Sequence, residues 1–337
     1  MTSETNEYAF IGGLRQDYCI THDGRVFVNA MGGNALYAAV GARLWHPTVR
    51  LVSRVGSDFP QEWLEELEGR GFDTSGVHVL GEPLDTRTFY AYLSQEERVD
   101  TNPASHFLRI GQPLPKELLG YRSSTAEQEN RSVFGPLAVR PDDLEPSLAS
   151  IQGAHFAPAD YLTHTTVQFQ LREFGVPLIT LDPSVRYMDA SFQEELPVML
   201  SGLDAFLPSE SECRTFFRPA KLDNWEMAEA FGSMGARFVV IKCGARGQML
   251  WDHDARERWR IPAYPARVRD VTGAGDAFCG GFLVGLSMSG DPIRAALQGS
   301  VSASLVIEGS GALYALAALP ELVNARYDAL RGAIRKA

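Results

Sequence analysis

The chain has 337 residues, of which 45% are hydrophobic and 22% charged, with a formal net charge of −11. That composition is ordinary for a globular protein, and at roughly 100–200 residues per domain it allows one large domain with an appendage, or two domains. The acidic balance and scattered Lys and Arg argue against a nucleic-acid partner, whose phosphates select basic clusters. The uncharged stretch 277–290 contains Gly280, Gly281, Gly285 and Gly290 and falls short of the roughly 18 apolar residues expected of a membrane span. Cys19, Cys213, Cys243 and Cys279 lie far apart with no CxxC pair, which argues against a zinc site or disulfide framework. Residues 1–10 carry no basic region followed by an apolar run. Together these features lead us to expect a cytoplasmic protein.

Along the chain, Tyr8–Ile11 reads as a strand, 35–45 as an Ala/Leu-rich helix, 50–55 as a strand and 60–71 as a helix, with Pro60 and Gly71 as its punctuation. Later strands are expected at 177–181, 205–207 and 238–242, separated by helical segments at 191–200 and 224–234. Alternation of this kind predicts a mostly parallel sheet wrapped by helices. Two isolated strand patterns, 25–30 and 86–94, and a polar excursion, 95–131, break the rhythm. They are expected to form a small projecting sheet, either a cover over a cleft or a surface excursion without a role.

The most informative segment is Asp270, Val271, Thr272, Gly273, Ala274, Gly275, Asp276, Ala277 and Phe278, which opens a helix running to about Met288. Small residues at 273–275 let backbone N–H groups turn around an anion, and the helix N-terminus adds positive potential there. Asp276 in the first turn is either a capping carboxylate or the acceptor of a hydroxyl proton during phosphoryl transfer. No Gly-x4-Gly-Lys-Ser/Thr loop is present, and Phe278 occupies the third position of a would-be GxGxxG, so P-loop and dinucleotide readings are disfavoured. Asp17, just past the first strand, sits where doubly wound sheets bind ligands, and its two oxygens suit two hydroxyls. For the remaining candidates a purely structural alternative stands beside a functional one: a tight turn before a helix for Gly32 and Gly33, a hairpin turn for Gly244 and Gly247, a solvated strand-end lysine for Lys242 and an exposed helix residue for Glu212.

The 270–278 segment with Gly280, Gly281 and Phe282 resembles the C-terminal signature of the ribokinase-like (PfkB) family of carbohydrate and nucleoside kinases. Supporting matches run in the same order over most of the chain: Gly12 to Asp17, the pair Gly32–Gly33 with Ala38, Arg43 and Leu44, then Val52 to Asp58, Val239 to Gly247, and Gly309 to Ala312. The resemblance implies a three-layer α/β/α ribokinase-like domain spanning 1–337, with a small β-sheet lid built from about 14–30 and 84–134. It implies an ATP-dependent phosphotransferase acting on a hydroxyl of a small sugar or sugar-like acceptor, with Mg2+ and, in some members, K+. Asp276 would be the general base, and Gly273, Ala274 and Gly275 the anion hole. Asp17, Gly32, Gly33 and Asn34 would bind the acceptor, while Lys242, Gly244, Gly247 and Gly311 would bind the nucleotide. Glu212 would act near magnesium through water, and Asp270 and Thr272 match positions that hold a monovalent cation. A homodimer through the lid is expected, with no nucleic-acid or membrane partner.

The chain departs from the family pattern mostly around the acceptor. Ser209 and Ser184 replace asparagines, and Leu36 and Tyr37 stand where many sugar kinases place Asn. Arg186 meets either an acidic acceptor or a salt-bridge partner. A nucleoside kinase, with Leu36, Tyr37 and Tyr90 lining a base pocket, is the nearest alternative; a non-catalytic nucleotide- or sugar-binding protein is another.

Overall fold

The computed structural model describes residues 7–95, 97–218 and 220–337. In chain order its strands are β1 (Tyr8–Ile11), β2 (Arg15–Ile20), β3 (Val26–Gly32), β4 (Val49–Val55), β5 (Phe72–Val79), β6 (Arg87–Tyr92), β7 (Arg98–Val99), β8 (Gly153–Phe156), β9 (Ile179–Leu181), β10 (Ala205–Phe206), β11 (Phe238–Lys242), β12 (Gln248–Asp252), β13 (Glu257–Ile261) and β14 (Arg335–Lys336). Its α-helices are α1 (Asn34–Arg43), α2 (Gln61–Gly69), α3 (Pro103–Arg109), α4 (Gln168–Glu173), α5 (Leu196–Leu200), α6 (Glu210–Phe216), α7 (Asn224–Ser233), α8 (Ala274–Ser289), α9 (Pro292–Val306) and α10 (Pro320–Arg331).

The short apolar runs are strands buried on both faces, which is why they read as continuous hydrophobic stretches instead of alternating ones. They build one sheet in the order β14-β13-β12-β11-β10-β9-β8-β1-β4-β5. It is parallel from β5 to β11 and antiparallel beyond. One face packs on Leu36 and Val40 of α1, Phe278 and Phe282 of α8, and Val301 and Leu305 of α9. The other packs on Leu171 of α4, Met199 of α5, Phe216 of α6 and Phe231 of α7. This is the expected three-layer α/β/α arrangement.

The strand order also locates a binding crevice. From central β1 the chain builds outward through β4 and β5, then returns to add β8 to β11 on the opposite side. The direction of growth reverses between β1 and β8, and ligands of open α/β sheets bind beyond the carboxyl ends of strands at such a point. Here β1 runs into Gly12 and Gly13, and β8 into Ala157 and Pro158.

Helix α8 is fixed beside that crevice by backbone contact with α1. A Cβ on Gly280 would lie 1.8 Å from the Ala38 carbonyl oxygen, and one on Gly41 would lie 2.1 Å from that of Ala277. Only glycine lets the two helices approach this closely.

A separate sheet has the order β3-β2-β6-β7. It has its own small core, in which Tyr18, Ile20, Phe89 and Ala91 meet Phe107 of α3 and Leu118. The polar excursion after β6 therefore supplies the backing of this sheet. Arg186 pins it to the main domain through a 2.8 Å ion pair with Asp100 and a 3.0 Å hydrogen bond to Thr125 Oγ1, so the salt-bridge alternative describes Arg186.

The segment expected as a helix at 191–200 is shorter. Ala190–Phe192 is a 3-10 turn and α5 starts at Leu196, because Pro197 lacks an N–H and fits only a first helical turn. Several strands carried no clear signal, among them β5, a polar edge strand holding Asp73, Thr74 and Ser75, β8, four residues long, and the two-residue β7 and β14.

Candidate active site

The cradle begins with a self-contained turn. Asp270 Oδ1 accepts hydrogen bonds from the Thr272 backbone N–H at 3.0 Å and from its hydroxyl at 2.7 Å. Thr272 Oγ1 also reaches the Tyr92 phenol oxygen at 3.1 Å, tying the small sheet to the cradle. Gly273 then takes a left-handed conformation, φ 76°, as the N-cap of α8. The Tyr37 ring lies against it so closely that a Cβ there would sit 2.0 Å from Cδ1. Ala274 and Gly275 open the helix; the Ala274 N–H donates to the Val271 carbonyl at 3.2 Å, while the Gly275 N–H is among those with no intrahelical partner. With Gly273 they make the start of α8, where the helix dipole favours negative charge, and Asp276 follows in the same turn.

Lys242, at the end of β11, reaches this cradle: a Cβ on Gly275 would lie 3.4 Å from its Nζ. The ammonium is ion-paired with Asp182, which follows β9, and is near Cys279 Sγ at 3.6 Å. Cys279 in turn donates to Asp182 Oδ2 at 3.5 Å. Burial alone would lower the Lys242 pKa, but Asp182, Cys279 and Glu212 more than offset it, and the lysine is held protonated. The acids respond in the opposite sense. Burial pushes Asp182 up against the pull of Lys242, and burial and Asp182 push Glu212 up. Asp276 is half-buried at the cleft floor; desolvation raises it to about 6, while Lys242 and Arg98 restrain the rise. Three carboxyls thus crowd one lysine.

Glu212 is partly committed to local structure. Its Oε2 accepts from the Ser209 N–H and hydroxyl, each at 2.7 Å, while the Ser209 hydroxyl caps α6 at the Glu212 N–H at 3.3 Å. This reciprocal cap occupies one oxygen of a carboxyl that lies within the electrostatic reach of Asp182 and Lys242. Among the described residues, no group of three or more His, Cys, Asp or Glu side chains is placed to hold a metal directly. The surplus of carboxyl over ammonium groups is what a hydrated divalent cation relieves.

On the acceptor side, Asp17 is 5% exposed. Its carboxylate fills the place of a side chain at Gly32, where a Cβ would lie 1.9 Å from Oδ2, and the Gly33 N–H donates to it. Its Oδ1 is buried without a partner. Burial, opposed by Gly33 and Arg15, raises Asp17 to about 7. Asn34 is spent on backbone: Oδ1 accepts from Gly13 N and Ala35 N, each at 2.9 Å, and its amide donates to the Pro158 carbonyl at 2.5 Å. It ties the loops after β1 and β8 to the start of α1. Leu36 is fully buried in the core, and Tyr37 serves as a wall behind Gly273.

Gly244 and Gly247 form the turn between β11 and β12, closed by the Cys243 N–H to the Gly247 carbonyl at 2.9 Å. Gly311 lies in the loop after α9. That loop starts beside the cradle, since Arg269 N–H donates to the Ile307 carbonyl at 2.7 Å.

The structure brings in residues to which the sequence reading gave no role at the site. Asp182 is the partner of Lys242. Arg98 joins Tyr90, the residue named in the nucleoside alternative: the Arg98 guanidinium lies 4.6 Å from the Tyr90 ring centroid, and Tyr90 also faces Asp17 and Asp276. Arg15 lies two residues before Asp17 on one face of β2, a period-2 signal readable from sequence once β2 is recognised as a strand.

A carboxyl whose folded pKa is raised from its ordinary value near 4 to about 7 holds its proton more tightly when folded. It therefore costs stability as pH rises through that window, with the full cost above about 7. Asp17→Asn is expected to raise Tm at pH 8 by more than at pH 4, corresponding to roughly 1–4 kcal/mol at the higher pH. Calorimetry at both pH values checks it; equal shifts at both contradict it.

Comparisons with known proteins identify the family and the fold. The family model for pfkB family carbohydrate kinases matches residues 149–318. The chain is 29% identical over 279 residues to a cytidine kinase of Thermococcus kodakarensis, covering 82% of this chain and 87% of that one. It is 26% identical over 302 residues to a 2-dehydro-3-deoxygluconokinase of Thermoproteus tenax, covering 84% and 81%. In fold it is similar to a putative ribokinase II from E. coli solved with ATP and Mg2+, with a TM-score of 0.69, 18% identity and coverage of 96% and 99%. No helix among the described residues is long and apolar enough to cross a membrane. With the cradle, the sheet and the family match in agreement, the chain belongs to the pfkB family of carbohydrate kinases, which are phosphotransferases.

Proposed function

We propose that the protein transfers the γ-phosphoryl group of ATP to a hydroxyl of a small sugar or sugar-like acceptor bound between Asp17 and Asp276. The observation that carries this reading is the placement of Asp276 and Lys242 at one helix start, with Asp17 facing them across the cleft. Asp276 takes the proton as the acceptor oxygen bonds to the γ-phosphorus and the bond to the β,γ-bridging oxygen breaks, releasing ADP. Gly273, Ala274 and Gly275 present N–H groups to the charge on the phosphoryl group in flight. Lys242 adds a cation held protonated by Asp182. Gly244, Gly247 and Gly311 border the nucleotide, and Gly32 and Gly33 position Asp17. Asn34 sets the geometry of the acceptor loop.

The residues present fit magnesium through water. Glu212 and Asp182 would hold its hydration shell, and the ion would supply charge neutralisation to the nucleotide phosphates. Asp270 and Thr272 are the candidates for shaping a K+ site. The small sheet is the lid, which excludes water as a competing acceptor when closed.

A nucleoside acceptor is the second reading. It is supported by the resemblance to the cytidine kinase and by Tyr90, whose ring borders the acceptor site. Leu36 is buried in the core, whereas the Tyr37 ring stands behind Gly273 near Asp17.

Two outcomes follow. Asp276→Asn is expected to lower kcat by roughly 100- to 10,000-fold while binding of Mg·ADP is retained. Because Asp276 must be ionised, the wild-type kcat/KM should fall tenfold per pH unit below about 6. ADP release across an acceptor panel from pH 5 to 8 measures both; a flat profile or an active Asn variant contradicts the assignment. The outer edge of β3 is unpaired among the described residues and carries exposed Val28, which suits pairing with a second copy. Light scattering at micromolar concentration should give the mass of a dimer; a monomer mass rules out that contact.

A further inference from the structure

Arg15 is 9% exposed, and its one hydrogen bond runs from Nη1 to the carbonyl of its own neighbour Leu14, at 3.0 Å. It makes no ion pair among the described residues, although Tyr90, Asp160, Asp17 and Asp85 all face it. The acids around it are engaged elsewhere: Asp160 accepts from the Gly135 N–H at 3.2 Å, and Asp85 is paired with Arg87. The guanidinium folds over Gly13, where a Cβ would lie 2.5 Å from Cζ.

Two residues on, and on the same face of β2, Asp17 has a buried oxygen with no partner. A cation and a carboxylate buried side by side gain by pairing, since their attraction is poorly screened there. Here the Leu14 carbonyl holds one and Gly32–Gly33 hold the other, so the two stay apart. Leaving either unmatched is costly, and the cost is relieved by a ligand that meets both. Such a ligand offers hydroxyl donors to Asp17 and an oxygen acceptor, preferably charged, to Arg15. A planar carboxylate is the best match, because it takes two parallel N–H groups from a guanidinium and neutralises it. Most of the five Arg15 donors are available for this. The other basic groups nearest the cleft have occupations of their own: Lys242 is paired with Asp182, Arg186 with Asp100, and Arg98 lies over Tyr90.

We propose that Arg15 binds an anionic group of the acceptor, and that the acceptor is a hydroxylated acid, a polyol carrying a carboxylate, whose hydroxyls lie against Asp17. This rests on the kinase reading above. It makes Arg15 the residue that decides which acceptor is used, while Asp276 and the cradle serve any acceptor.

The test uses the full chain and two readouts. In the first, D-gluconate and 2-dehydro-3-deoxy-D-gluconate are compared with D-glucose, D-ribose and cytidine as acceptors of Mg-ATP, for the wild type, Arg15→Met and Arg15→Lys. The expected result is a preference of the wild type for an acid. That acid should lose about 100-fold in kcat/KM in Arg15→Met, mostly through KM, with partial rescue in Arg15→Lys. In the second, the shift in Tm caused by each acid is measured without nucleotide. It should be present in the wild type and absent in Arg15→Met, while Mg·ADP stabilises both proteins equally and so reports an intact fold. A neutral acceptor preferred by the wild type, or an acid that stabilises both proteins alike, overturns the proposal. If no acceptor turns over yet an acid binds through Arg15, the proposal for the pocket stands and the kinase reading fails.

Discussion

The site is organised around one buried ion pair, Lys242 with Asp182, at the carboxyl ends of β11 and β9. Its partners are 60 residues apart in sequence, and the parallel sheet brings them together through intervening β10. Taking one charge away would leave the other buried and unmatched, at a cost of about 3–5 kcal/mol. The pair is held in place by what surrounds it: Cys279 from α8, Glu212 from α6 and the cradle backbone at Gly275. Because Asp182 fixes the ammonium, Lys242 presents a permanent cation beside the helix start where phosphoryl charge would collect. Because three carboxyls share that cation, the resting site carries surplus negative charge and holds protons more readily than free carboxylates do.

Precision at the cradle comes from backbone contacts. Gly280 against Ala38, and Gly41 against Ala277, set α8 on α1 without intervening side chains. The first residues of these two helices are Ala274 and Asn34, so the turn at 270–275 and the loop before α1 are referred to the same packed unit. Asn34 extends that unit to the loops after β1 and β8 with its three backbone hydrogen bonds. The small sheet touches it through Tyr92 and Thr272. A movement of the sheet is therefore felt at the residue that orients Asp270 and precedes Gly273.

Much of this was legible locally. Residues 270–278 announce a helix start with a carboxylate in its first turn, because glycine requirement, helix N-terminus and carboxylate all fall within one turn. The alternation of apolar runs and helices revealed the layered sheet, since strands buried on both faces keep a continuous apolar signature. What escaped depends on tertiary contact. The resemblance singled out Lys242 and Glu212, but their placement beside Asp182 was not legible, because nothing near them in sequence announces that partner. In the nucleoside alternative Leu36 read as a pocket wall with Tyr37, because sequence places both after the glycine pair but does not say that the helix turns Leu36 into the core. Arg98 belongs to a two-residue strand inside a polar stretch, too short for any periodicity to show. The polar character of that stretch hid Phe107 and Leu118, whose burial depends on meeting Phe89 from β6.

The central claim is that Asp182, Glu212 and Asp276 titrate as neighbours of one lysine and that Mg·nucleotide relieves their crowding. Calorimetric titration of ADP at pH 6.5 in buffers of different ionisation enthalpy counts the protons exchanged on binding. Nucleotide phosphates alone make protonation of the acids easier, whereas the divalent cation makes it harder. The account predicts proton uptake with metal-free ADP and proton release with Mg·ADP. Identical proton exchange in the two titrations would contradict it.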